Sequence, residues 1–316
     1  MRILFVSSNR IGDAVITTGV LDHLIRTHPG CRVTIACGPV AEGVFARMPN
    51  RERTIVVGKR PYDLHWLALW RAVAFTVWDL VVDTRGSGLA YLLAARRRAV
   101  KRREPGRKFE QFAAMLKIDP APLPVVWTAP EDRAAVERLL PAGRPVIGLG
   151  PTANSAYKMW PAERFAALFH RLAAGPLPGA IPAVFAGPGA AERAGSAPLL
   201  AALPNAIDLV GRFTLPQAAA AIQRCAVYVG NDSGLMHLAA AAGAPTIGLC
   251  GATMDRAVEM APAGQFARWA LATGPSMEAL SVDAAFAAAR AAIAEADAAS
   301  RRLATISPGT PETTPL

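Results

Sequence analysis

The stretch from Val227 to Thr253, VYVGNDSGLMHLAAAAGAPTIGLCGAT, constrains the fold of this chain more than any other. An apolar run through Val229 ends in Gly230, and Gly234 to Ala242 is rich in Leu, Met and Ala, which reads as a strand followed by a helix. Asn231, Asp232 and Ser233 fill the joint, and all three residue types cap helices by accepting from the N–H groups of the first turn. Gly243 stops the helix, Pro245 follows, and Thr246 to Cys250 returns as a second buried strand. This is a βαβ unit. In an open parallel sheet, ligands bind beyond the carboxyl ends of the strands. A helix start at that edge presents N–H donors and about half a positive charge, which suits a phosphate. The same residues also fit a plain helix cap, with His237 as a core histidine.

The rest of the chain repeats this alternation. Arg2 to Ser7 reads as a strand, Asn9 to Asp13 as a glycine-containing loop, and Ala14 to Thr27 as a helix with apolar positions at Val15, Ile16, Val20, Leu21, Leu24 and Ile25. Strands follow at Arg32 to Ala36, Thr54 to Val57 and Leu80 to Asp83, with a helical stretch around Leu64 to Val77. A proline-rich run through Pro120, Pro122, Pro124, Pro130 and Pro141 leads to a second series. Its strands lie at Pro145 to Leu149, Ala183 to Phe185, Ile207 to Leu209, Ala226 to Val229, Thr246 to Cys250 and Arg268 to Ala272, and a helix from Val282 to Leu303 closes it. Strands alternating with helices imply doubly wound parallel sheets. The chain has 316 residues, 52% of them hydrophobic, enough for two cores of about 150 residues each. The expected division is 1–143 and 144–303, with 304–316 a disordered tail.

The net charge of +10 points to an anionic partner, whether nucleic acid, an anionic membrane or a phosphorylated substrate. Much of it falls between Arg96 and Lys108, a segment whose ordinary explanation is a solvated face. The four cysteines, Cys31, Cys37, Cys225 and Cys250, form no CxxC pair and sit beside apolar segments, so neither a zinc site nor a disulfide framework is expected. The N-terminal apolar run is too short for a signal peptide, and no window holds about 18 uncharged apolar residues. A cytoplasmic location is expected.

Three loops that follow strands carry reactive residues. SNRIGDAVITT brings Asp13 to a helix start. GPTANSAYKMWP offers Thr152, Asn154, Ser155 and Lys158 to a phosphate before Pro161 begins the next helix. NDSG is the third. Together with DLVVDTRGS, these segments resemble the ADP-heptose:lipopolysaccharide heptosyltransferase family over almost the whole chain, and NDSGLMHLAAAAGAPTIGLCGAT is the most specific match. Gly19 stands where that family often has proline, which loosens one helix turn.

The resemblance implies an α/β protein of two facing Rossmann-like domains, the GT-B type, with a ligand cleft between them. By position it makes Asp13 the general base and Lys158 a diphosphate ligand. Asp232, Ser233, Gly234, Leu235 and His237 become the sugar-nucleotide shelf, with Thr152 and Ser155 beside it. Glu192, in the loop after the strand at Phe185, matches the ribose-binding acid. Transfer with inversion needs a carboxylate to take the acceptor's proton on the face opposite the leaving group, and positive groups where charge develops on the diphosphate. No DxD sequence ends a strand, so no metal and no cofactor are expected, the ADP-sugar being a substrate.

The implied partners are a nucleotide-sugar donor, a lipid-linked anionic glycan acceptor and the inner face of the inner membrane, met through Arg97, Arg98, Arg102 and Arg103. A monomer is expected. A sugar-nucleotide epimerase shares the facing domains but needs no acceptor. A basic nucleic-acid-binding protein fits the charge alone and lacks the interleaved aromatics that base stacking uses, since Phe109 is the first aromatic after Arg96.

Overall fold

The computed structural model describes residues 1–102, 104–251, 254–274 and 276–306, without the side chains of 254–256 and 304–306. The first half runs β1 (Arg2–Val6), α1 (Ile11–Ile16), α2 (Thr18–Thr27), β2 (Arg32–Cys37), β3 (Arg51–Val56), α3 (Leu64–Val73), β4 (Trp78–Asp83), β5 (Ala95–Val100), α4 (Lys108–Met115) and α5 (Pro130–Glu137). The second runs β6 (Val146–Gly150), α6 (Ala162–Ala174), β7 (Ile181–Val184), α7 (Ala190–Ala202), β8 (Ile207–Asp208), α8 (Leu215–Gln223), β9 (Val227–Asn231), α9 (Gly234–Ala241), β10 (Thr246–Cys250), α10 (Met254–Glu259), β11 (Ala267–Leu271) and α11 (Val282–Ile306).

The strands form two sheets, β3-β2-β1-β4-β5 and β11-β10-β9-β6-β7-β8. Every strand pair in both is parallel. The fold is therefore α/β, with two Rossmann-like units as the alternation implies. Each sheet reverses its winding once, between β1 and β4 in the first and between β6 and β9 in the second. A crevice opens beyond the strand ends at such a switch point. Four loops reach these two crevices: those after β1, β4, β6 and β9.

An apolar core joins the halves. It runs from Phe5, Val15 and Phe45 through Val136 and Leu140 to Ala219, Ile222, Tyr228 and Met236. Helix α5 packs on α8 and α1 on α9, so the two units meet through helices rather than through a sheet. All four cysteines are buried.

Several local expectations change. The helix expected from Ala14 begins at Ile11 and breaks at Thr17, whose Oγ1 donates to the Ala14 carbonyl at 2.7 Å. Asp13 therefore lies within the first turn and caps nothing. The basic segment contains an unforeseen strand, β5, on the sheet edge, where Arg96, Arg97 and Arg98 are all exposed. Charged side chains on both faces conceal the usual alternation and block edge pairing. Glu192 lies in the first turn of α7, not in a loop. Pro161 occupies the N-cap of α6, one position before its first turn. Arg103, Ala252, Thr253 and tail residues 307–316 lie outside the described residues, while α11 continues through Ile306.

Gly19 lies in the first turn of α2, just after the break at Thr17. The segment 122–125 crosses α2 there, held by Thr18 Oγ1, which accepts from the Val125 N–H at 2.9 Å. A Cβ on Gly19 would lie 2.5 Å from the carbonyl oxygens of both Pro122 and Leu123. Because these are backbone atoms, Gly19→Ala should destabilise the protein by about 1–3 kcal/mol and lower its melting temperature by several degrees. An unchanged melting temperature would mean that the crossing segment yields freely.

Candidate active site

On the first sheet, the loops after β1 and β4 are held by two buried side chains. Asp83 accepts from the N–H groups of Arg85 at 3.0 Å, Gly86 at 3.1 Å and Ser87 at 2.9 Å, and from Ser87 Oγ at 2.7 Å. Thr84 Oγ1 donates to the Val6 carbonyl at 2.8 Å. Between these loops lies a cavity of about 220 Å³ lined by Ser8, Asp13, Thr84, Arg85, Lys101, Lys108 and Phe112. Asp13 Oδ1 accepts from Lys108 Nζ at 2.5 Å, and its Oδ2 lies 3.4 Å from Ser8 Oγ. Burial alone would push the Asp13 carboxyl upward. The charge and hydrogen bond of Lys108, with help from His237 and Arg10, outweigh burial and hold it below the ordinary carboxylate value.

On the second sheet, Asn231 ties the loops after β6 and β9 together. Its Oδ1 accepts from the Trp160 N–H at 3.0 Å and its Nδ2 donates to the Pro151 carbonyl at 2.6 Å. Asn231 is thus a buried strand residue, not a cap. Ser233 occupies the N-cap of α9 without a side-chain cap hydrogen bond, so among the described residues the first-turn N–H groups have no side-chain acceptor. Gly243, with φ +80°, follows its last turn as expected. Lys158 Nζ donates to Asp232 Oδ2 at 2.6 Å. Thr152 Oγ1 donates to Glu192 Oε2 at 2.7 Å, and the same oxygen accepts from the Gly187 N–H at 3.2 Å. Ser155 and Leu235 are half-buried nearby in the chain, Ser155 opening the short turn that carries Lys158.

The two sides meet at α1 and α9. A Cβ on Gly12 would lie 2.7 Å from His237 Cδ2, and one on Gly234 would lie 2.9 Å from Ile11 Cβ. These two glycines let the helices touch, so that His237 sits between the Lys108–Asp13 pair and the Asp232–Lys158 pair. A larger cavity of about 370 Å³, lined by Arg144, Phe169, His170 and residues 180–182 and 202–205, lies by the start of β7 and shares no residue with this set.

The profile of Glycosyltransferase family 9 (heptosyltransferase) matches residues 60–278, more than half of the chain. The chain belongs to this family. It is similar to lipooligosaccharide heptosyltransferase 2 of Haemophilus influenzae, at 26% identity over 296 residues, covering 80% of this chain and 84% of that protein. Among solved structures it resembles a family 9 glycosyltransferase from Veillonella parvula, with a TM-score of 0.78 at 21% identity over 93% of this chain and 97% of that one. It also resembles the ADP-heptose lps heptosyltransferase II of E. coli, with a TM-score of 0.75 at 20% identity over 94% of this chain and all of that one. These likenesses carry the GT-B fold.

In this family 9 glycosyltransferase, Arg97, Arg98 and Arg102 are exposed, and Arg98 also donates to the carbonyls of Ala90 and Leu93, at 2.8 and 2.7 Å. Other basic residues of that segment turn inward. Arg107 donates to the Pro262 carbonyl across the two halves, and Lys108 binds Asp13. Asp83 and Arg85 enter the sequence reading only within DLVVDTRGS, and Lys101 and Lys108 only within the basic segment, none with a role of its own. Of these only Asp83 leaves a local signal, an acid ending a strand with a serine four residues on. Among the described residues no group of three or more His, Cys, Asp or Glu side chains is placed to hold a metal, and no helix is long and apolar enough to cross a membrane.

His237 is 3% exposed, and neither ring nitrogen has a hydrogen-bond partner among the described residues; Nε2 lies 3.9 Å from Asp232 Oδ1. Burial pushes its imidazole from 6.5 down to about 4, against the opposing pull of Asp232 and Asp13. With the folded value below the unfolded one, the unfolded chain takes the proton first as pH falls. The contribution to stability is therefore complete above the ordinary imidazole value and is lost as pH drops toward the folded one. His237→Leu should flatten the fall in the urea-denaturation midpoint between about pH 6.5 and 4. An equally steep fall in the variant would show that this imidazole does not titrate with folding.

Proposed function

We propose that the protein transfers a heptosyl group from ADP-heptose to an anionic acceptor of the lipopolysaccharide inner core, with inversion and without a metal. The observation that carries this reading is the meeting of two chemically different sides at α1 and α9. One side offers a carboxylate beside a cationic cavity, and the other a lysine beside an uncapped helix start.

The donor's diphosphate would rest against the first-turn N–H groups of α9 at Ser233, Gly234 and Leu235, with Lys158 as a charged partner. Asp232 would keep Lys158 aimed until the diphosphate takes over that ammonium. Thr152 and Glu192 would receive the ribose, and Ser155 would border the phosphates. His237, neutral at pH 7, would offer the sugar a hydrogen bond from a ring nitrogen that has no partner among the described residues. In the reaction an acceptor hydroxyl oxygen bonds to the anomeric carbon, the bond from that carbon to the diphosphate oxygen breaks with its electron pair leaving on ADP, and the hydroxyl proton passes to Asp13. A carboxylate held below its usual range is a weak base. That is adequate when proton removal lags behind departure of the diphosphate, because the hydroxyl becomes acidic as it bonds to an oxocarbenium-like carbon. Arg97, Arg98 and Arg102, all exposed, would meet an anionic inner-membrane surface.

The decisive experiment incubates the purified protein with ADP-heptose and truncated lipopolysaccharides, following ADP release and product mass. Equimolar ADP and heptosylated product, unaffected by excess EDTA, are expected. Altered sugar nucleotide with no ADP release would instead mark an epimerase, and a requirement for Mg²⁺ would refute the charge compensation by Lys158. Asp13→Asn should still bind ADP while turnover falls by about 10² to 10⁴, the weight of a general base. Turnover within a few-fold of the parent would remove Asp13 from that role.

A further inference from the structure

The cavity between the loops after β1 and β4 holds more positive charge than the fold neutralises. Among the described residues the direct partners of Arg85 are neutral: its Nη1 donates to Asn9 Oδ1 at 3.3 Å and its guanidinium stacks 4.6 Å from the Trp66 ring centroid. Lys101 Nζ stands 5.4 Å from the Phe112 ring centroid, with no carboxylate in salt-bridge reach among the described residues. Burial lowers the proton affinity of both side chains. Asp83 and Asp63 act on Arg85, and Asp13 and Glu259 on Lys101, only from beyond salt-bridge reach; partly desolvated cations without a direct ion pair are costly in the empty protein and favourable once an anion arrives.

The third cation, Lys108, is neutralised, and by the very carboxylate that serves as base in the proposed reaction. Both side chains are largely buried, 14% exposed for Lys108 and 22% for Asp13, and the contact occupies one carboxylate oxygen. This resting pair suits a stored base rather than an active one. Ser8 and Thr84 line the same cavity, and Met260 Sδ lies 3.9 Å from Lys108 Nζ, so among the described residues no second carboxylate is in salt-bridge reach of the ammonium.

We propose that this cavity is an anion subsite, built by Arg85, Lys101 and Lys108, for a carboxylate or phosphate on the acceptor, and that its occupation draws Lys108 away from Asp13. The inference rests on the reading of Asp13 as base. It makes Lys108 a positioning residue that acts through Asp13, and it makes the acceptor's acidic group the trigger. A neutral acceptor of the same shape leaves Asp13 tied to Lys108. The titratable groups that face Asp13 among the described residues are Lys108 and Lys101 from the cavity wall, Arg10 from the N-cap of its own helix and the neutral His237 from α9. Of these, Lys108 is the one in salt-bridge contact with it.

The test uses the full-length protein, ADP-heptose and three forms of one truncated lipopolysaccharide: intact, with its sugar-acid carboxyl groups reduced to alcohols, and with its phosphates removed enzymatically. One modified form should lose at least about tenfold in kcat/KM, the weight of a hydrogen bond to a charged group, and which form loses it names the anion. In Lys108→Gln that preference should shrink toward unity, and the acid limb of the pH profile of kcat/KM should move up by about one to three pH units, since the cation holding Asp13 down is gone. Lys108→Arg keeps the charge and should retain both properties. Lys101→Gln should raise KM for the anionic acceptor while leaving the acid limb within a fraction of a unit of the parent. Should Lys108→Gln fail to fold, Lys108→Arg and Lys101→Gln still report through KM and the acid limb. A Lys108→Gln variant that is slower by the same factor at every pH and with every acceptor overturns the proposal, as does a parent that uses all three acceptors equally. A parent that makes no heptosylated product at all instead refutes the proposed function.

Discussion

The contact between α1 and α9 is the constraint on which the site depends. Two parallel sheets each open a crevice at a winding reversal, but separate crevices cannot carry out a transfer. Gly12 and Gly234 remove the side chains that would hold the helices apart, since a Cβ at either position would collide with His237 or Ile11. The loops after β1 and β4 then face those after β6 and β9 across one helix pair. Asp83 and Asn231 perform matching tasks on the two sides, each a buried polar side chain at a strand end that fixes the backbone of the neighbouring loop.

Charge is arranged in the same two-sided way. Lys108–Asp13 and Lys158–Asp232 are each nearly self-neutral while the site is empty, which keeps mostly buried ionic groups tolerable. His237 lies between them and is held neutral by burial. In the proposed reaction each pair opens toward its own substrate, Lys158 toward the diphosphate and Lys108 toward the acceptor's acid. The surplus cations Arg85 and Lys101 lie on the Asp13 side, and in the proposed reaction this asymmetry would give the two crevices different ligands.

Much of this was legible in the sequence where local pattern and tertiary role coincide. The βαβ unit from Val227 to Cys250 announces its strands by apolar runs and its helix by Gly243, and the structure places them within a residue or two. The site loops were legible because they follow strands. Local pattern failed where tertiary contacts decide. β5 is hidden by its arginines, and the break at Thr17 comes from a side chain turning back on its own helix. Asp232 and Ser233 look like caps and cap nothing, because Asp232 is engaged by a lysine from another loop. The Lys108–Asp13 pair spans 95 positions, and no local signal joins them. The basic segment read as one solvated face instead divides between an exposed edge and a buried ion pair.

The central claim is that the two cationic crevices are not interchangeable, the one at α9 serving the nucleotide diphosphate and the one beside Asp13 the acceptor. A crystal structure of the protein with ADP tests this most directly. The account predicts the diphosphate against the Ser233 to Leu235 backbone with Lys158 Nζ turned from Asp232 to a phosphate oxygen, and the Lys108–Asp13 pair intact. Diphosphate density among Arg85, Lys101 and Lys108, with Lys158 still bound to Asp232, would contradict it.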